Sequence, residues 1–454
     1  MNSTEATSAI LDYRALPEIV PPELQEAVRL QLLDEYDIVN PALAQYFRAT
    51  ESNLVEWKTE GTFVYNHKGE RYYDCLGAGG VFGLGFRHPH VIQSVKDQLD
   101  RVALSTRFAM APATAALARK LIGHAPKGLE HVYFGNSGTE AMEAALKLAR
   151  LTTGRSQLIG TDYGYHGMSI ATLSVSGLEL WRASTQGADD KSTTVVPFNN
   201  IAAMKKAIGP QTAAVCLEPV QWASGCEVAR TEYLQEVRAL CNQHGALLIY
   251  DEIQCGLGRC GKWWAHEYSG VAPDLLCVGK ILSGGVMPIS AVLYNDRVFE
   301  AELGRPLYNN SSYGGNPPAC AAGLATLEVL ENENLIERSR IHGERVNAEF
   351  AKLVQEYPQV VAGQRGIGLM TCIMMTQPHY GILLQDFVRD DFKILISSMM
   401  HMPEFVRISP PFISTDEQIG EMLSAIRQSV DKISKMNMSH ISTYFNELQS
   451  KLNK

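Results

Sequence analysis

From about His131 to Asn295 the chain alternates short apolar runs with longer stretches of helical period. The runs are "HVYFG", "QLIGT", "TVVPF", "AAVCLE", "ALLIYDE", "DLLCVG" and "ISAVLY". Rich in branched residues and separated by helical patterns, they predict an α/β domain whose largely parallel sheet is buried on both faces. Ligands of such sheets sit at the carboxyl ends of the strands, and polar residues follow the runs there: Asn136, Tyr165, Glu218, Asp251 and Lys280. One shared site is the expectation. After Asn316 comes a long helical pattern, "PPACAAGLATLEVLENENLIERSRIHGERVNAEFAKLVQEY". Strand-like runs follow near "GIGLMTCIMM" and "EFVRISPPF". These describe a smaller α/β domain joined by N-terminal segments. The expected division is 1–106 (N-terminal segment, part of the small domain), 107–325 (large domain) and 326–454 (C-terminal small domain).

Composition narrows the class. Of 454 residues, 46% are hydrophobic and 20% charged, enough to bury a large core. The net charge of −9 carries no basic stripe, which argues against nucleic acid as a partner. No apolar run approaches the roughly 20 residues that cross a bilayer, and "MNSTEATSAI" lacks a basic region followed by an apolar one. A soluble, cytoplasmic protein without a membrane partner is expected. The nine cysteines are odd in number and never spaced C-x-x-C, so they read as reduced core residues, with neither disulfides nor a metal site.

Three motifs bear on chemistry. "GLGRCG", with Gly256, Gly258 and Gly261, fits the dinucleotide fingerprint G-x-G-x-x-G. A dinucleotide loop, however, opens a long amphipathic helix and has its acid on the next strand, whereas Asp251 and Glu252 precede these glycines and "KWWAHEYSGVAPD" lacks a long helical period. A plain glycine-rich turn is the better reading. "GAGGVFGLG", Gly77 to Gly85, is spaced still less suitably. A better phosphate cradle is "YFGNSGTEAMEAALKLAR", where a strand ends at Phe134 and Gly135 to Thr139 turn into a strong helix with Glu143 and Lys147 as an i,i+4 pair. Free amides there, joined by the hydroxyls of Ser137 and Thr139, suit a phosphate dianion; a capping box of Ser137 with Glu140 is compatible with the same geometry. Lys280 follows an apolar run and precedes a glycine turn. A strand-end lysine is ordinarily a solvated charge, but in a buried cleft it becomes an amine nucleophile for a carbonyl. Asp251 lies about one strand–crossover–strand unit before it, which places the two on neighbouring strands facing one ligand.

Phosphate turn, carboxylate and strand-end lysine, in that order, are what pyridoxal phosphate needs. From about Asn40 to Ile419 the sequence resembles the class III aminotransferases, fold-type-I enzymes that include ornithine, acetylornithine, 4-aminobutyrate and putrescine aminotransferases. "VEWKTEGTFVYNHKGERYYDCLGAGGVFGLGFRHP" looks closest to the putrescine type. The resemblance implies a large domain with a mostly parallel seven-stranded sheet and a smaller α/β domain. It makes Ser137, Gly138 and Thr139 the phosphate turn, and Tyr165 of "YGYHG" the ring stacked on the cofactor with His166 beside it. Asp251 of "DEIQ" becomes the partner of the pyridine nitrogen, Gln254 the partner of the phenolic oxygen, and Lys280 the Schiff-base lysine. Ser312 of "NSSYGGNPPACAA" takes the place of a hydroxyl that reaches the neighbouring subunit's phosphate, which implies a homodimer. Arg407 of "EFVRISPP" falls where the family holds the substrate carboxylate, and Glu218 of "LEPVQ" matches an active-site glutamate. One departure stands out. Where the family reads approximately E-P-[IV]-Q-G-E-[GA]-G, this chain has "EPVQWASG", so Trp222 replaces a glycine and Ala223 the glutamate able to pair with the carboxylate-binding arginine. Trp222 becomes an apolar or stacking wall for substrate. The implied activity is transamination from a primary amine (an ω-amino acid, a diamine or a biosynthetic amine) to an oxo acid such as 2-oxoglutarate or pyruvate. An aminomutase or decarboxylase of the same fold is the alternative enzyme, and a non-catalytic or dinucleotide-binding protein the remaining one.

Overall fold

The computed structural model describes residues 15–49, 54–105, 109–183, 192–305 and 308–452. At its centre lies an eight-stranded sheet made of β1 (His131–Gly135), β2 (Gln157–Asp162), β3 (Ser176–Gly177), β4 (Thr193–Val196), β5 (Thr212–Leu217), β6 (Leu247–Asp251), β7 (Leu275–Val278) and β8 (Ser290–Tyr294). The spatial order is β1-β8-β7-β6-β5-β2-β3, with β4 also paired to β2. Only β8 runs antiparallel to its neighbours, β7 and β1. Every residue of β5, β6, β7 and β8 is buried, as continuous apolar runs covered by helices on both faces require. All seven expected strands form. The eighth, β3, extends the edge through the pairing of Thr161 with Ser176 and of Asp162 with Gly177, and a two-residue Ser-Gly strand carries no apolar pattern to announce it.

The helix Gly138–Thr153 springs from β1. Ser137 caps it by accepting the Glu140 amide at 3.2 Å, and the Glu140 carboxylate reaches back to the Asn136 amide at 2.7 Å. The expected Glu143–Lys147 pair gives way to tertiary partners: Glu143 accepts the Ser169 hydroxyl at 2.5 Å, and Lys147 donates to the Tyr308 carbonyl at 3.1 Å. The Ser169–Glu143 bond is partly buried, which strengthens it beyond what an exposed ion pair gains on a helix surface. The long helical pattern after Asn316 forms two helices, Pro317–Asn332 and Leu335–Glu356, because the chain turns at Asn334, whose φ of 51° is left-handed. Beyond them the strands Val361–Ile367, Met370–Met375, Met402–Ile408 and Ser397–Met399 form an antiparallel sheet in that order. The N-terminal strand Arg71–Asp74 pairs in parallel with Ile394–Leu395 from the C-terminal part.

The "GLGRCG" segment is a turn, and its arginine joins distant parts of the chain. Arg259, 1% exposed, donates to the carbonyls of Pro410 (2.8 Å) and Leu369 (3.3 Å), and its guanidinium lies 4.5 Å from the Phe412 ring centre. Burial pulls its pKa down to about 10. Arg259→Met keeps apolar bulk but strands two buried carbonyls, so equilibrium denaturation will show a loss of about 2–3 kcal/mol. A change below about 0.5 kcal/mol would mean that the packing of the turn alone joins these parts. All nine cysteines are free and buried.

Candidate functional site

The polar residues expected at one place do gather at the carboxyl ends of the central strands. Asp251 closes β6, Glu218 follows β5, Lys280 follows β7 after Gly279, and Asn136 and Tyr165 stand just beyond β1 and β2. Strands β6 and β7 are paired in parallel, with Asp251 opposite Cys277, which sets Asp251 and Lys280 on neighbouring strands.

Asp251 is 4% exposed and fixed from two sides. One oxygen accepts Nδ1–H of His166 at 2.8 Å, and the other accepts the Ile253 amide at 3.1 Å. Burial opposes a charge on His166, yet the Cys216 thiol and the Asp251 carboxylate outweigh it and raise its pKa well above the ordinary value. His166 therefore sits behind Asp251 as its holder, and its own amide donates to the Ser176 hydroxyl at 3.1 Å. The short edge strand β3 thereby contributes to the site, because it brings Ser176 under this histidine.

Lys280 is half-buried, with its backbone in the left-handed region at φ 44°. Its Nζ donates to Oε1 of Gln254 at 3.2 Å. Burial lowers its pKa; Asp251 and Glu218 oppose that shift and Arg407 adds to it. A lowered pKa favours the neutral, nucleophilic form of the amine. Glu218 accepts the Tyr165 amide at 3.0 Å, and its pKa is pushed up to about 7, chiefly by burial. An unfolded glutamate releases its proton near 4.5, so between 4.5 and about 7 the folded chain holds a proton that the unfolded chain has lost. That contribution to stability is fullest at the acid end and is lost as pH rises to about 7. Glu218→Gln keeps the shape and removes the titration. Denaturation at several pH values will show wild type losing about 2 kcal/mol relative to this variant across the window. Parallel curves for the two proteins would refute it.

Arg407 projects from the strand Met402–Ile408, opposite Cys372, and is 9% exposed. Its guanidinium stands 5.0 Å from the Trp222 ring centre, and its buried Nε has no hydrogen-bond partner. Trp222 begins a tight turn, Trp222–Ser224, and packs edge-on against Tyr165 at 5.6 Å between ring centres. Sequence reasoning passes over four neighbours. Gly79 and Gly80, at φ 73° and 94°, run beside the site: a Cβ on Gly79 would lie 3.9 Å from Arg407 Nη2, and one on Gly80 would lie 3.5 Å from Gln254 Cγ. Trp181 and His401 complete a ring cluster with Trp222. The close backbone approach at Gly79 and Gly80 explains part of the glycine run at 77–85, a signal visible in the sequence although it does not fit a dinucleotide loop.

The Ser137–Thr139 turn opens its helix toward the same end of the sheet. A Cβ on Gly138 would lie 3.0 Å from Ile253 Cδ1, so a side chain there would press on the segment next to Asp251. Ser311 accepts from Asn136 Nδ2 at 2.9 Å, and Ser312, the next residue, is exposed. Among the described residues no group of His, Cys, Asp or Glu is arranged to hold a metal, and no helix is long and apolar enough to cross a membrane.

Residues 46–430 match the model of the family described as aminotransferase class-III. The chain belongs to the class-III aminotransferases. Like this chain, other members of wide origin keep the architecture. A putrescine aminotransferase of Pectobacterium atrosepticum is 35% identical, with 96% of this chain and 95% of that protein covered. An ornithine aminotransferase of Toxoplasma gondii, whose active site is partly occupied by PLP, superposes with a TM-score of 0.77 at 29% identity, covering 84% of this chain and 90% of its own. An acetylornithine aminotransferase of Elizabethkingia anophelis gives 0.71 at 29% identity, covering 83% and 93%. Class-III aminotransferases are PLP enzymes, and the donor set here fits that cofactor. Nε2 of Gln254 is a buried donor without a partner beside Lys280 Nζ, and the Asp251 carboxylate, the start of the helix Gly138–Thr153 and Lys280 all stand at strand ends of the one sheet.

Proposed function

We propose that this PLP-dependent aminotransferase moves an amino group from a primary amine (an ω-amino acid, a diamine or a biosynthetic amine) to an oxo acid such as 2-oxoglutarate or pyruvate. The observation that carries the residue assignments is the half-buried, pKa-lowered Lys280 bonded to Gln254 on the strand next to Asp251. In this reading the amides of the Ser137, Gly138 and Thr139 turn hold the phosphate. Asp251, fixed by His166, holds the ring nitrogen's proton, Gln254 Nε2 donates to the phenolic oxygen, and Tyr165 stacks on the ring. PLP, when bound, supplies a carbonyl that condenses with amines and a ring that takes up the electrons of a broken C–H bond. The chain's own residues do the rest. Lys280 Nζ would hold the cofactor and, once freed by the incoming amine, would take a proton from the substrate carbon and deliver it to the cofactor carbon. Arg407 grips the oxo acid's carboxylate, and Glu218 holds the Tyr165 backbone in place.

The subunit arrangement belongs to the same reading: a cytoplasmic homodimer in which exposed Ser312 reaches the partner's phosphate. Segments 1–106 and 326–454 form the small domain around 107–325, a division that the pairing of Arg71–Asp74 with Ile394–Leu395 supports. A dimer that builds the site buries more than about 2,000 Å². Sedimentation should find no active monomer, and a fully active monomer would contradict the arrangement. The lysine is tested by borohydride treatment of the yellow holoenzyme and peptide mapping. The label belongs on Lys280; on any other lysine it would sink the site assignment. Turnover that needs no oxo acid would favour the aminomutase reading instead.

A further inference from the structure

Among the described residues no carboxylate pairs with Arg407, and its buried Nε has no hydrogen-bond partner. The groups that favour its charge are the thiols of Cys226 and Cys372, Lys280 and Arg259 add like charge nearby, and the buried residue beside Trp222 is Ala223. Around it the rings form a wall. Tyr165 and Trp181 are 5.1 Å apart between centres, Trp181 and Trp222 6.5 Å, and Trp222 and His401 6.3 Å. At these separations the rings touch one another, so a ligand lies against them and does not slip between them. The wall is fixed at its base: His401 Nε2 donates to the Ala223 carbonyl at 2.7 Å. Gly225 (φ 81°) lets this turn press on Phe405, whose Cδ1 would lie 2.1 Å from a Cβ there. The wall also abuts the reacting groups, since Tyr165 is bonded through its amide to Glu218, which acts with Asp251 on Lys280.

Resting on the transamination reading above, we infer that the amino-group donor is a ring-bearing monoamine with a carboxylate. Its ring lies against Trp181 and Trp222, its carboxylate lies on Arg407, and it carries no second ammonium. A diamine would set its distal charge against a guanidinium that no carboxylate among the described residues neutralises, and the Trp222 face able to attract an ammonium already faces Arg407. A flat apolar body gains aromatic contact, and a carboxylate gains paired, charge-assisted hydrogen bonds. Trp181 and Trp222 are thus specificity residues.

Two measurements on the PLP-loaded protein decide it. In calorimetric titration with unreactive probes, 3-phenylpropionate should bind about tenfold or more tighter than butyrate. Trp181→Ala, a change at a half-buried position, should erase the phenyl advantage and leave butyrate unchanged, whereas Arg407→Gln should weaken both acids alike. Equal binding of the two acids to wild type would overturn the ring wall. In single-turnover spectra of the amine half-reaction, 3-amino-3-phenylpropionate should exceed putrescine in rate over dissociation constant by about 100-fold. Putrescine reacting as well or better overturns the donor assignment alone. Absence of any spectral change with every amine would overturn the transamination reading itself.

Discussion

Lys280→Ala will lower kcat by about 10³-fold or more, while the protein still takes up PLP. On the proposed assignment one side chain serves twice, since Nζ both binds the cofactor and shuttles the proton, and alanine supplies neither an amine nor an acid–base group. Cofactor uptake survives because the Ser137–Thr139 turn, Asp251 and Gln254 stand on other strand ends and do not depend on position 280 for their fold. The loss corresponds to about 4 kcal/mol of barrier. Steady-state rates paired with the absorbance of reconstituted protein separate the two effects. Turnover within tenfold of wild type would remove Lys280 from the chemistry.

Asp251→Asn will slow the chemical step by roughly 10²–10³-fold, with a much smaller change in cofactor affinity. Asparagine preserves the volume, and its single oxygen can still accept from His166 Nδ1 at 2.8 Å, although the bond from the Ile253 amide is then lost. What disappears, on the proposed assignment, is the negative charge that sustains a proton on the ring nitrogen and, on its other side, the charge that with the Cys216 thiol holds the His166 pKa up. Both changes weaken the site's capacity to take up electrons while the side chain keeps its volume. Single-turnover kinetics against cofactor dissociation constants reads the split. A variant with wild-type chemistry and poor cofactor retention would make Asp251 a mere anchor.

Much of the fold and site is legible in the sequence because strands buried on both faces must be apolar along their length. Runs such as "AAVCLE" and "ALLIYDE" end on a polar residue where the sheet meets its ligand side, and five such endings mark the site. The local code fails where tertiary contact supplies the reason. Glu143 and Lys147 have helical spacing but each finds a better partner elsewhere. His401 and Trp181 reach the ring wall from distant segments with no periodic pattern around them. The family resemblance sets His166 beside the cofactor, yet its bond to Asp251 spans two strand ends and is invisible along the chain. Along the chain Arg259 reads as filler in a glycine turn, and only the approach of the Leu369 and Pro410 carbonyls gives it meaning.

The left-handed backbone at Lys280 has a cost that falls outside catalysis. A residue with a Cβ held at φ 44° carries roughly 1–2 kcal/mol of conformational strain, which glycine would not. Selection for heat resistance alone would therefore push position 280 toward glycine and away from lysine. A lineage that ceased to need the reaction would drift to a sturdier and inert protein, so the lysine persists only while turnover is under selection.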